Sequence, residues 1–94
     1  MFIILLHYIK PLEEVERHLP AHRAFLEKHY ADGHFIVSGR RVPRTGGVII
    51  AKAAGREQVN DLIAGDPFYR HEVAEYDIVE FEPTMSDGRF DLAP

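Results

Sequence analysis

The sequence has no cysteine. That removes disulfides, thiolate nucleophiles, iron–sulfur clusters and zinc ribbons, and argues against a disulfide-stapled secreted module. A basic excess is also missing. Lysine and arginine total 11 against 15 acidic residues, a net charge of −4, whereas nucleic-acid binders carry a positive surplus. The longest apolar start, Phe2 to Leu6, is too short to span a membrane. It also lacks the basic flank and small-residue cleavage site of a signal peptide. There is no internal repeat, no low-complexity run and no GxGxxG or Walker spacing around Gly46-Gly47. What is present is 94 residues with 46% hydrophobic, 28% charged and 11% aromatic content, ordinary for one globular domain. The expectation is a soluble cytoplasmic protein with no cofactor, no nucleic-acid partner and no membrane partner.

Residues Phe2 to Ile9 read as a strand, rich in β-branched and aromatic side chains and closed by Lys10-Pro11. Leu12, Val15 and Leu19 then recur at helical spacing, with Pro11 suited to the first helical position. Pro20 predicts a break, giving a short helix to about Arg17 and another from Pro20 to Ala31, stopped by Gly33. His34 to Ser38 and Gly47 to Lys52 read as strands joined by a hairpin connection, Gly39 to Gly46. Arg56 to Ala64 reads as a helix with Val59, Leu62 and Ile63 on one face. Val73 to Phe81 is the last strand. Residues 1–83 form the domain and 84–94 a tail with an Asp87-Gly88 turn.

The order is βαββαβ, a ferredoxin-like α+β arrangement whose antiparallel sheet carries its helices on one face. Phe2, Ile4 and Leu6 alternate with the equally apolar Ile3 and Leu5, and Val48, Ile49 and Ile50 are consecutive. Helices cover only one face. The other predicts a homodimer with sheets packed face to face, because a wet face would expose a large apolar patch.

Several segments in order carry a family resemblance: Leu19-Pro20-Ala21-His22-Arg23-Ala24-Phe25-Leu26, Tyr30-Ala31-Asp32-Gly33-His34-Phe35, Val37-Ser38-Gly39, Pro43-Arg44-Thr45-Gly46-Gly47-Val48-Ile49, Asp66-Pro67-Phe68 and Glu80-Phe81-Glu82-Pro83. Together they resemble the YCII-related domain family from Phe2 to Pro83. The resemblance implies a dimeric α+β barrel and an enzyme site built around one histidine and one aspartate, which fall on His22 and Asp66. It also implies kinship with dehydrochlorinases of chlorinated hydroxyquinols and a fold similar to muconolactone isomerases. Arg40 is a departure, standing where relatives often place proline.

On the residues alone, each candidate has two readings. His22, one turn before Phe25 and Leu26, sits at the edge of the core-facing stripe. It serves either as a proton-transfer group, since an imidazole both donates and accepts protons, or as a boundary histidine bonded to a carbonyl. Asp66 before Pro67 is a natural N-cap, and a carboxylate there also suits orientation of an imidazole. Asp32 is the rival partner for His22. His18 and His22 have HxxxH spacing, but Pro20 between them argues against a shared metal, and His29 and His34 straddle the helix end. The histidines outside the His–Asp pair therefore read as exposed, with no metal site. Arg40, Arg41 and Arg44 are either an anion clamp or a solvated loop. Ser38 either bonds a ligand or caps its strand. Phe68 joins Ser38, Arg40 and Arg44 as an expected substrate contact.

No serine or cysteine nucleophile accompanies the pair, so proton transfer suits it better than acyl transfer. Two classes remain. One is a lyase or isomerase acting on a small anionic or phenolic ring. The other is a non-catalytic dimeric ligand-binding or interaction module.

Overall fold

The computed structural model describes residues 1–90. Its elements are β1 (Phe2–Tyr8), α1 (Leu12–Ala31), β2 (Phe35–Arg40), β3 (Gly46–Ala51), α2 (Arg56–Ala64), the one-turn α3 (Pro67–Arg70) and β4 (Ala74–Glu80). The strands form one antiparallel sheet in the order β2-β3-β1-β4. This is the βαββαβ order expected, with α3 added before the last strand. Among the described residues no helix is long and apolar enough to cross a membrane.

Strand parity divides the sheet. On one face Phe2, Ile4 and Leu6 of β1, Ile49 and Ala51 of β3 and Phe35 of β2 are buried, in one core with Val15 and Phe25 of α1, Val59, Leu62 and Ile63 of α2, and Phe68 of α3. Cross-strand register places Ile3 and Leu5 opposite Ile50 and Val48, with Val37 and Val79 at the flanks, on the other face. Among the described residues no helix covers that face, and Val37 and Val79 remain 55% and 47% exposed.

The expected break at Pro20 does not occur: α1 is continuous through it, and Pro11 is its N-cap rather than its first residue. Pro20 lies on the exposed side, whereas Val15 before it and His22 and Phe25 after it are buried. A proline inside a helix costs about 3 kcal/mol. Burial of side chains such as Val15 and Phe25 gains roughly 1.5–3 kcal/mol each. Packing on both sides of Pro20 therefore holds the two halves on one axis. Leu12, read as the start of the apolar stripe, is exposed.

The hairpin connection is shorter than expected, because β2 runs to Arg40 and β3 begins at Gly46. Gly46-Gly47 has a steric reason. A Cβ on Gly46 would fall 1.7 Å from the Leu6 carbonyl oxygen of the adjoining strand. In the tail, the Asp87-Gly88 turn forms, with the Arg89 and Phe90 N–H groups donating to Oδ1 and the carbonyl of Asp87. Residues 91–94 of the expected tail lie outside the described residues. Gly46→Ala is expected to lower stability by about 2 kcal/mol or more through backbone displacement, read as a lower urea midpoint. An unchanged midpoint would contradict the close strand approach.

Candidate active site

Asp66 is the most deeply buried polar residue of the domain, with 0% exposure. An isolated carboxylate there would be costly, so its oxygens need donors. Its Oδ1 accepts from Phe68 N–H at 2.9 Å, which is the N-cap of α3 with Pro67 at the first helical position. The same Oδ1 accepts from His22 Nδ1 at 2.8 Å. Oδ2 accepts from the Tyr76 hydroxyl at 2.6 Å. Cap and imidazole partner are thus one group. Asp32 stands instead 3.9 Å from Nδ1 of His29.

His22 is 8% exposed and projects from the middle of α1. Its ring stacks on Phe68 with centroids 4.0 Å apart and planes 5° from parallel. The bond to Asp66 fixes one ring edge and Phe68 one ring face. Because Asp66 takes Nδ1–H, Nε2 is left as the acceptor nitrogen. Tyr76 is held neutral by burial, and the neighbouring Asp66 carboxylate adds to this, pushing its hydroxyl well above the ordinary tyrosine range.

His22 and Phe68 line a cleft of about 610 Å³ between α1 and the helix-side face of β1, β2 and β3. Glu16, Leu19, Arg23 and Leu26 border it from α1. Ser38, Arg40, Arg44 and Ile49 border it from the sheet and its hairpin. Asp66 lies behind this wall. Of the expected substrate contacts, Ser38, Arg40, Arg44 and Phe68 all reach the cleft. Ser38 also shares a hydrogen bond with the Tyr30 hydroxyl, tying β2 to α1. Arg44 pairs with Glu16 at 3.2 Å, across from α1.

The three arginines do not act as one cluster. Arg40 pairs in register with Gly47 on the helix-side face, whereas Arg41 leaves the strand and donates to His7 Nδ1 at 2.7 Å. His7 in turn reaches Asp77 at 3.1 Å on the uncovered side. Arg40 makes no ion pair among the described residues, so its guanidinium is available to the cleft.

The histidines do not behave as an exposed set. His29 is buried and His34 half-buried. Burial lowers the His29 pKa below the ordinary value, and the charges of Lys28 and His34 act in the same direction. His18 and His22 share α1 without sharing a ligand: His18 stacks on His71 at 4.2 Å. Tyr76 and Arg23 were not singled out from sequence. For Tyr76 the available signal was its parity on β4, opposite Leu6.

The family model for the YCII-related domain matches residues 1–82, and the chain belongs to that family. Among solved structures it is similar to 5-chloro-2-hydroxyhydroquinone dehydrochlorinase from Burkholderia phenoliruptrix AC1100, in complex with 2,5-dihydroxybenzoquinone. The TM-score is 0.73 at 20% identity, covering 87% of this chain and 94% of that one, which establishes a common fold. No curated protein matches the chain.

The Tyr76–Asp66 bond has a pH signature. An unfolded tyrosine ionises near 10.0, whereas the folded chain keeps Tyr76 protonated above that value. Above it the unfolded chain binds fewer protons, so stability is full below pH 10.0 and falls as pH rises past it. Tyr76→Phe is expected to lose stability at neutral pH and to show a shallower alkaline decline than the parent in denaturant titrations. Equal alkaline slopes would contradict the buried bond.

Proposed function

We propose that this protein is a small-molecule lyase or isomerase that moves a proton on a small anionic or phenolic ring. The observation that carries this reading is the imidazole of His22, anchored through Nδ1 to a buried carboxylate, in the wall of a ring-sized cleft. Nε2 takes the proton from the substrate as general base, and Asp66 stabilises the imidazolium that forms. Arg40 and Arg44 hold the substrate's anionic oxygen, Ser38 contacts a hydroxyl, and Phe68 offers an apolar wall beside the reacting proton. In an isomerisation the imidazolium returns the proton to another atom of the substrate. In a dehydrochlorination the C–H electron pair forms the new double bond and chloride departs with the electrons of the C–Cl bond. The dehydrochlorinase named above supports the second form. Neither form requires a cofactor.

The working assembly in this reading is a cytoplasmic homodimer. Ile3, Leu5, Val37, Val48, Ile50 and Val79 make a contiguous apolar surface for which a second sheet of the same kind is the natural cover. Light scattering is expected to give twice the chain mass at micromolar concentration. A stable monomer there would remove the dimer from the account.

Activity is tested with chlorinated hydroxyquinols and small unsaturated lactones, following chloride release and ring absorbance. Turnover is expected with a member of one class, and His22→Ala is expected to reduce kcat by about a hundredfold or more. Arg40→Gln is expected to act mainly on KM. Binding without turnover across both classes would assign the cleft to a ligand-binding module instead. Full turnover in His22→Ala would remove His22 from the chemistry.

A further inference from the structure

The C-terminus of α1 presents a second cluster of chemistry-bearing groups, one that the proton-transfer reading does not use. Gly33, with φ of 81°, turns the chain there. Its N–H donates to the Tyr30 carbonyl at 3.1 Å, and the His34 N–H donates to the His29 carbonyl at 2.9 Å. This pair of bonds is the Schellman motif, which sets the residue three before the cap beside the residue two after it. Those two positions usually exchange an apolar contact. Here they are His29 and His34, with Asp32 at the cap between them.

A nitrogen from each ring and a carboxylate oxygen of Asp32 all lie within 4.8 Å of one another. Nδ1 of His29 is 3.9 Å from Asp32 Oδ2. Tetrahedral donors about 2.0–2.1 Å from a zinc ion stand about 3.3 Å apart, so small side-chain rotations close the set. A further observation points to a ligand. Nδ1 of His29 and Nδ1 of His34 are both buried without any hydrogen-bond partner. His29 is itself only 8% exposed, with Phe25 and Phe35 against its ring. Buried polar atoms in a folded protein are nearly always satisfied, and an orphaned pair calls for an absent water or ion.

We infer that His29, Asp32 and His34 form a binding site for a divalent transition metal of the zinc class, clamping the end of α1 to the start of β2. Two imidazoles and one carboxylate favour zinc, cobalt, nickel or copper over magnesium or calcium. Three protein ligands leave a fourth position for water. Asp32 is exposed and provides the way in. The clamp sits at the root of the strand that carries Ser38 and Arg40, so it stiffens one wall of the cleft without entering it.

Gln58 gives the site a distinguishing mark. Its Oε1 accepts from Ala54 N–H, which turns its amide nitrogen toward His34 Nε2 at 3.4 Å. A metal on Nδ1 leaves Nε2–H in need of an acceptor. Gln58→Glu supplies a carboxylate there, the arrangement that strengthens metal-bound histidines.

The test uses the full chain, stripped with EDTA and titrated with ZnCl2 alone. Saturating zinc is expected to raise Tm by about 10 °C, reversibly on adding EDTA. Cobalt is expected to give the visible absorption of a tetrahedral ion. Asp32→Asn and His34→Asn, at the exposed and half-buried positions, should fold and lose most of the shift, whereas His18→Asn should keep it. Gln58→Glu is expected to tighten zinc binding by about tenfold. An unchanged Tm in the parent, or a shift that survives in both Asp32→Asn and His34→Asn, overturns the site. Unchanged affinity in Gln58→Glu overturns ligation through His34 Nδ1.

Discussion

The carboxylate of Asp66 is the constraint around which this domain is arranged. A fully buried anion is tolerated only if donors converge on it, and here they come from three elements. His22 comes from the long helix, Phe68 N–H from the short one, and Tyr76 from the edge strand β4. Satisfying one carboxylate therefore fixes α1 against α3 and both against the sheet. The same bonds leave the imidazole, in the wall of the cleft, with Nδ1 committed to Asp66 and Nε2 outside that network. Stability and the candidate chemistry draw on a single network, so removing Asp66 costs both at once.

Strand parity is the second organising rule. Even-numbered residues of β1 enter the core with the helices, and odd-numbered ones form the uncovered apolar face. This alternation sends Arg40 to the cleft, and the chain beyond it carries Arg41 to His7, although the two are neighbours in sequence. The cleft is bounded by one helix and half a sheet, with the Glu16–Arg44 pair across it.

Much of this was legible from the sequence. The element order follows from periodicity and from Gly and Pro punctuation, and α2 falls where Val59, Leu62 and Ile63 place it. Asp66-Pro67 announced a capped turn by its local chemistry alone. Non-local facts were harder to read. Pro20 carries a strong local signal for a break, which burial on both sides of it overrides. Tyr76 looks like any strand tyrosine until β1 pairing sets it over Asp66. His29 and His34 read as exposed histidines because they straddle the end of a helix, where the connecting chain usually faces solvent. Yet Gly33 was recognisable as a helix stop, and counting three residues before the cap and two after it would have placed both rings side by side.

The central claim is that Asp66 holds His22 with Nδ1 protonated and Nε2 free for a substrate proton. Long-range proton–nitrogen correlation spectra of the neutral ring, with the His22 signal assigned by His22→Gln, read this tautomer directly. The account predicts Nδ1–H with an unprotonated Nε2, and a loss of that preference in Asp66→Asn. A His22 ring protonated at Nε2 would contradict it.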